Sequence, residues 1–237
     1  MKFDGVSKAY ESTIVFDRFS LEIKEGTILS VVGPSGQGKT TLLHLASGLI
    51  QPDAGRVVRH PLEEGPVSYL FQEPRLIPSA TVFRNVELPL RASEPCATVR
   101  AQIANHYLEM VGLSDSRALY PDQLSGGMRQ RVAIARSFSH PSRLMLLDEP
   151  FQSLDIKLRY TLIEAFLTLW EESPKTTIFV THDPKEAILL GDAVCCLGDP
   201  SGPLLYQTID TPRKARSITD EQSLALEATL IGALLNA

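Results

Sequence analysis

The chain has 237 residues, of which 43% are hydrophobic and 22% charged, a composition typical of a folded globular protein. Its 23 Lys and Arg residues are outnumbered by 28 Asp and Glu residues, which gives a formal net charge of −5 at pH 7. Because nucleic-acid-binding proteins contact phosphates chiefly through Lys and Arg, this balance argues against a nucleic-acid partner. No run approaches the roughly 18 apolar residues of a transmembrane helix, so we expect no membrane span in this sequence.

The first half of the chain contains strand-like runs around one glycine-rich loop. Residues 19–23 alternate apolar and polar side chains, as in a half-buried strand, and residues 28–32 form a run typical of a buried strand. The loop that begins at Gly33 leads into a predicted helix over residues 40–47, which Gly48 is suited to end. Two further strands are predicted at residues 56–58 and 67–71.

Helical patterns replace the strands from residue 73 to about residue 140. Strand predictions return at residues 144–148 and 177–181, with a long helix predicted between them near residues 155–171. A strand–helix–strand order implies a parallel sheet with a right-handed crossover. The sequence therefore predicts an α/β core that is interrupted by a helical insertion.

Two smaller patterns complete the prediction of structure. The neighbours Cys195 and Cys196 lie in an apolar run without the spacing of a zinc site or a disulfide framework, so we expect both in the core. The tail opens with a capping-box pattern from Thr219 to Gln222 and is predicted to form a helix. One face of that helix is expected to pack against the protein, and it carries Leu224, Ala228, Ile231 and Leu235.

The glycine-rich loop carries the first chemical motif. It matches G-x-x-x-x-G-K-[ST] between a predicted strand and a predicted helix. Glycines allow successive N–H groups to point at phosphate oxygens, and the start of the helix adds the positive end of its dipole. Lys39 can reach the β- and γ-phosphates, and the Thr40 hydroxyl can ligate Mg²⁺. The predicted nucleotide-binding residues of this loop are Gly33, Pro34, Ser35, Gly36, Gln37, Gly38, Lys39, Thr40 and Thr41.

Two acidic residues follow the strand predicted at residues 144–148. Asp148 comes at the carboxyl end of this strand, the edge where open α/β sheets bind ligands, and is suited to hold Mg²⁺ through water. Glu149 follows directly, and a carboxylate beside the γ-phosphate can accept a proton from an attacking water. Alone, the pair would indicate two surface acids at a strand end; after a phosphate loop it indicates one residue for Mg²⁺ and one for the attacking water.

The third motif, residues 124–131, reads Leu-Ser-Gly-Gly-Met-Arg-Gln-Arg and opens a predicted helix. Ser125, Gly126 and Gly127 place free N–H groups at the start of that helix, which suits an anion. With these motifs in this order, the chain resembles the nucleotide-binding subunits of ABC (ATP-binding cassette) transporters over nearly its whole length. The resemblance implies a nucleotide site completed by Ser125, Gly126 and Gly127, with ATP and Mg²⁺ as ligands.

The resemblance also implies a fold and its division. The expected fold is the α/β P-loop NTPase core, with a parallel sheet, an N-terminal antiparallel β portion and an inserted α-helical subdomain. The whole of residues 1–237 would be a single ABC ATPase domain. Within it, residues 1–72 and 141–237 would form the nucleotide-binding core, and residues 73–140 the helical subdomain with the signature.

Further residues receive roles from the same resemblance. Gln72 matches the glutamine that senses Mg²⁺ and the attacking water, and His182 matches the histidine that contacts the γ-phosphate. Tyr10 matches the aromatic residue that stacks on adenine, with a core aromatic residue as the alternative. Residues 153–155 match the segment that crosses the dimer interface. The implied catalytic residues are Glu149, His182 and Gln72, and the implied Mg²⁺ ligands are Thr40, Gln72 and Asp148.

Two positions depart from the family pattern. Gln37 stands where Ser, Cys or Ala is frequent, at a variable position of the loop, so nucleotide binding is still expected. Gln152 replaces the more common Gly or Ser and is expected to adjust contacts across the dimer.

Residues 71–78 and 127–136 resemble the nitrate/sulfonate/taurine importer subgroup. The implied function is to hydrolyse ATP and power a solute importer. The alternatives are an ABC ATPase that drives lipoprotein release or cell-envelope control, and a soluble ABC protein that acts on nucleic acid, which the net charge of −5 disfavours. The implied partners are separate membrane-spanning permease subunits, a second copy of the chain and, through the permease, a solute-binding protein. The implied location is the cytoplasmic face of the cell membrane.

Overall fold

The computed structural model describes residues 1–59, 65–152 and 154–236. Its strands are β1 (Lys2–Tyr10), β2 (Thr13–Glu22), β3 (Ile28–Val32), β4 (Ala54–Val58), β5 (Val67–Leu70), β6 (Leu144–Asp148), β7 (Thr176–Val180), β8 (Ala193–Cys196) and β9 (Leu205–Thr208). Its α-helices are α1 (Lys39–Ser47), α2 (Val82–Glu87), α3 (Ala97–Met110), α4 (Gly126–Ser139), α5 (Ile156–Glu172), α6 (Pro184–Leu190) and α7 (Glu221–Leu235).

The described chain divides into two compact units. The first contains residues 1–59, 146–149 and 175–236, and the second contains residues 65–145, 150–152 and 154–174. In this division the long helix α5 belongs to the second unit. The functional division into a nucleotide-binding core and a signature subdomain stays a prediction.

A parallel sheet forms the centre of the first unit. β3 pairs in parallel with β7 on one side and with β8 on the other, and β9 adds an antiparallel strand at the edge. The end of β6 lies beside β7. Every residue of β3, β7 and β8 is buried, so Cys195 and Cys196 are core residues, and the predicted parallel sheet is confirmed.

A second sheet in this unit has the antiparallel order β2-β1-β4. Its inner face is aromatic: Phe3, Phe16 and Phe19 are nearly fully buried, and the rings of Phe16 and Phe19 lie 4.6 Å apart. This sheet confirms the predicted antiparallel portion. The alternation at residues 19–23 indicated only the last part of β2, and β1 was not predicted because its register shifts against β2 blur its alternation.

Helices and one strand make up the second unit. α4 packs against α2, α3, α5 and β5, and its Phe138 ring meets Phe166 of α5 at 5.4 Å between centroids. The buried Glu87 carboxylate accepts from Arg100 at 2.6 Å and from Arg91 at 3.0 Å. These ion pairs hold the pKa of Glu87 below its usual value although burial alone would raise it.

The tail forms the predicted helix α7, but two details differ from the prediction. The cap is Asp220, whose carboxylate accepts from the Ser223 N–H at 2.7 Å, so the proposed Thr219 box is wrong by one position. The face that packs carries Leu226 and Leu230, which join a core cluster around Val32. The face that was expected to pack is exposed instead, with Leu235 81% exposed. This face carries Leu224, Ala228, Ile231 and Leu235. Within the described ranges, no helix has both the length and the apolar character needed to cross a bilayer.

Candidate functional site

The phosphate loop owes its shape to two glycines with left-handed backbone. Gly36 has φ 86° and Gly38 has φ 83°. A Cβ atom at Gly38 would lie 2.6 Å from Val15 Cγ1, whereas one at Gly36 would meet nothing within 4 Å. The Gln37 N–H donates to the Pro34 carbonyl at 3.4 Å, which closes the turn. Only a glycine therefore fits at residue 38, both by backbone conformation and by space.

The start of α1 is open toward the loop. Its N-cap residue is Gly38, which supplies no side-chain hydrogen bond, so the N–H groups of the first turn are not capped by a side chain. At the other end, Gly48 has φ 79° and donates its N–H to Leu45 O, as the sequence predicted. The helix has nine residues, and its uncapped N-terminus suits an anion because the free N–H groups and the helix dipole act together.

Lys39 is the buried cation of this loop. Its side chain is only 8% exposed, and Nζ donates to the carbonyls of Gly33 at 2.7 Å and Pro34 at 2.9 Å. Burial lowers the pKa of Lys39, while the negative charges of Glu149 and Asp148 oppose that shift. The ammonium is thus held over the loop, close to two acidic groups.

A cavity of about 370 Å³ opens over the loop in the first unit. It is lined by Ser35 to Thr41 without Gln37, together with Tyr10, Val15 and Glu149. The volume lies within the range of small-ligand sites. Tyr10 at the end of β1 is 45% exposed, which agrees with a stacking surface and not with a core position. Val15 is a lining residue that the motifs could not indicate, since it comes from β2.

The acidic pair lies at the end of β6. Glu149 has φ 47°, an uncommon conformation for a residue with a Cβ, and its N–H donates to Val180 O at 3.0 Å. Its carboxylate Oε2 lies 3.1 Å from His182 Nδ1. Glu149, Lys39 and His182 are therefore brought together in one unit, as the sequence predicted from three separate segments.

Oxygen donors for a magnesium ion are present beside the loop. Thr40 is exposed at the first turn of α1, and Asp148 is half-buried at the end of β6. Hydroxyl and carboxylate oxygens are ligands that Mg²⁺ accepts, usually with waters and substrate phosphates completing the shell. In the part of the chain that the structure describes, no group of three or more His, Cys, Asp or Glu could hold a metal without such partners.

The remaining predicted residues lie in the second unit. Ser125 caps α4 by accepting from the Met128 N–H at 3.3 Å, and Gly126 and Gly127 form the first turn. A Cβ at Gly127 would lie 2.6 Å from Leu158 Cδ2, so close packing of α4 on α5 requires this glycine.

Gln72 follows β5, and its Nε2 donates to Oε1 of Gln152. No sequence pattern indicated this contact. Asp155 caps α5 by accepting from the Leu158 N–H at 3.0 Å. Ser153, which was matched to the same segment as Asp155, lies outside the described residues.

Known proteins match this chain in sequence and in structure. The family model described as "ABC transporter" matches residues 16–152. The nitrate import ATP-binding protein NrtD of Synechococcus elongatus is 36% identical over 239 residues, which cover 95% of this chain and 87% of that protein. A putative 2-aminoethylphosphonate import ATP-binding protein, PhnT of Salmonella typhimurium, is 40% identical over 208 residues, covering 84% of this chain and 56% of that protein.

A solved structure agrees with these matches. The ATP-binding cassette MJ0796, in a dimeric post-hydrolysis state bound to ADP and Pi, superposes with a TM-score of 0.75 at 30% identity. The match covers 89% of this chain and 99% of that cassette. Both the family model, which spans more than half of the chain, and the well-covered relatives identify the same family. The chain therefore belongs to the ABC transporter family and is an ATPase of that family.

Proposed function

We propose that the chain powers a solute importer by binding and hydrolysing ATP on behalf of separate membrane-spanning permease subunits. The observation that carries the proposal is the cavity of the first unit, where the phosphate loop, Lys39 and the Glu149–His182 pair converge. Such a site offers a cation and backbone donors to phosphates, and a carboxylate to a water. Those are the groups that phosphoryl transfer to water needs.

ATP would bind with its phosphates in the loop. The N–H groups of the loop and of the first turn of α1 would donate to phosphate oxygens, and the Lys39 ammonium would turn from the carbonyls of Gly33 and Pro34 to the β- and γ-phosphates. Tyr10 would stack on the adenine from the rim of the same cavity. Thr40 and Asp148 would hold Mg²⁺, which supplies charge neutralisation at the phosphates.

Hydrolysis would depend on Glu149. Its carboxylate would accept the proton of the attacking water, and His182, at hydrogen-bond distance from Oε2, would orient that carboxylate and contact the γ-phosphate. The backbone bond from Glu149 to Val180 fixes the unusual φ of this residue and so keeps the carboxylate at the cavity. By its match to the family glutamine, Gln72 would contribute its amide oxygen to the water and to Mg²⁺.

The signature residues indicate that two copies act together. Ser125, Gly126 and Gly127 lie at the start of α4, where their N–H groups would bind a second anion. In a two-fold dimer each signature would close over the ATP held by the loop of the other copy. The dimeric state of the similar cassette MJ0796 supports this arrangement. ATP would favour the closed dimer, and hydrolysis would reopen it.

Import is supported by the relatives. The nitrate and 2-aminoethylphosphonate proteins are both named import ATP-binding proteins. They name different solutes, so the nitrate/sulfonate/taurine class is the finer part of the proposal, drawn from residues 71–78 and 127–136. A permease would hold the chain at the cytoplasmic face of the membrane and receive solute from a solute-binding protein.

The test is complementation between two inactive variants. Lys39→Ala removes the phosphate cation, and Ser125→Arg blocks the signature. A mixed dimer has one doubly damaged site and one intact site, so ATPase activity should reappear on mixing although neither variant is active alone. ATP should also drive Glu149→Gln chains into dimers on size-exclusion chromatography, and Ser125→Arg in the same chain should prevent it. A monomer that hydrolyses ATP at a rate per chain independent of concentration would contradict the proposal.

A further inference from the structure

The side chain of Gln72 is bound by another glutamine in the second unit. Gln72 Nε2 donates to Gln152 Oε1, and both residues lie on loops, after β5 and before α5. An amide that donates its Nε2 hydrogen in this way has a fixed orientation, with its own oxygen directed away from the partner. Two loop residues far apart in sequence therefore define which atom Gln72 presents.

The backbone that carries Gln72 is held from both sides of the residue. Arg136 of α4 donates from Nη2 to Pro74 O at 2.8 Å and from Nη1 to Arg75 O at 2.9 Å. The Arg75 guanidinium lies 3.9 Å from the centre of the Phe71 ring, and that ring stacks on Tyr69 at 4.2 Å. These contacts fix the loop that follows β5.

The backbone that carries Gln152 is held by the same helix. Gln130 of α4 is 3% exposed, and its Nε2 donates to Pro150 O at 2.5 Å. Phe151 is fully buried, and its ring packs edge-on against Phe166, so the residue before Gln152 is held in the core of the second unit. One helix thus supports both partners of the Gln72–Gln152 bond, through Arg136 on one side and Gln130 on the other.

We propose that Gln152 is a positioning residue for Gln72, because it binds Nε2 and so leaves Oε1 as the amide atom that Gln72 offers to a ligand. This inference rests on the proposed role of Gln72 in ATP hydrolysis. Oxygen, and not nitrogen, is the atom that a Mg²⁺ ion or a water hydrogen requires from this amide. A glutamine without such a partner would sample several rotamers and both amide orientations, so only a fraction of its states would be productive.

The test compares two substitutions of similar length at residue 152. Gln152→Met loses the acceptor, so kcat for ATP hydrolysis should fall by about two- to tenfold, the worth of one hydrogen bond. The KM for ATP should change less than twofold, and the Mg²⁺ concentration that gives half-maximal rate should rise. Gln152→Glu keeps the acceptor and should retain a rate within about twofold of the unsubstituted chain.

A double substitution shows whether the effect passes through Gln72. In a Gln72→Ala background, Gln152→Met should cause no further loss, because the amide that it positions is gone. A full additional loss there, or an unchanged rate in the single Gln152→Met variant, would overturn the inference while leaving the proposed function intact. An unsubstituted chain that hydrolyses no ATP would overturn both.

Discussion

The phosphate loop and the loop that follows β5 each carry a side chain with a predicted role, Lys39 and Gln72, but the conformations of the two loops have different origins. In the phosphate loop, positive φ falls on Gly36 and Gly38, and Lys39 bonds to carbonyls five and six residues away. After β5, positive φ falls on Arg75, a residue with a Cβ, and the carbonyls are held by Arg136, 61 and 62 residues away. The first loop is shaped by its own residues, and the second depends on a distant helix.

Of these substitutions, removal of the Lys39 ammonium should reduce ATP hydrolysis most while it leaves the fold intact. Lys39→Ala deletes the ammonium over the loop, and the expected loss of ATP hydrolysis is at least the ~10²–10³-fold typical of one preorganised group facing developing charge. The loop should largely keep its shape, because the left-handed backbone at Gly36 and Gly38 sets it and Lys39 adds only two bonds to it. ATPase assays with circular dichroism test this; near-normal hydrolysis would contradict the assignment of the loop.

Two glycine substitutions should break the phosphate loop to different extents. Gly38→Ala forces a Cβ to 2.6 Å from Val15 at φ 83°, so both backbone strain and overpacking apply, and we expect a loss of about 2–4 kcal/mol in unfolding free energy. Gly36→Ala is the matched control, with φ 86° and open space, and should lose only about 1 kcal/mol. Urea unfolding measures the free energy of both variants. Equal losses of unfolding free energy would mean that the contact with Val15 does not destabilise Gly38→Ala.

The loop after β5 should be sensitive to a substitution outside it. Arg136→Met removes two charge-assisted bonds to the carbonyls of Pro74 and Arg75, and we expect a loss of about 1–3 kcal/mol in unfolding free energy. The kcat for ATP hydrolysis should also fall several-fold. Arg216→Met is the control, since its guanidinium also donates to backbone carbonyls, but in the first unit. Its acceptors are the carbonyls of Thr211, Ile188, Gly191 and Ile209.

The control variant loses more hydrogen bonds, so it should lose at least as much unfolding free energy as Arg136→Met while it keeps its kcat. Urea unfolding and ATPase assays on the two variants decide the comparison. Equal kcat values for Arg136→Met and Arg216→Met would show that the loop after β5 does not need support from α4.

Local chemistry allowed much of this protein to be predicted from sequence. The run at residues 28–32 became β3, Gly48 ended α1, and Asp148 came at the end of β6, because each signal lies in consecutive residues. The phosphate loop belongs to this class, since a left-handed backbone at Gly36 and Gly38 requires glycine wherever the loop is placed.

Tertiary packing decided the rest. The helix pattern of the tail predicted α7 but not which face would pack, and Leu226 and Leu230 are buried instead of Leu224 and Leu235 because of where the core cluster around Val32 lies. The bond between Gln72 and Gln152 joins two loops that no local pattern links, and only the folding of both onto α4 brings them together. A sequence pattern specifies the conformation of neighbouring residues, whereas the partner of an exposed amide depends on the whole packed unit.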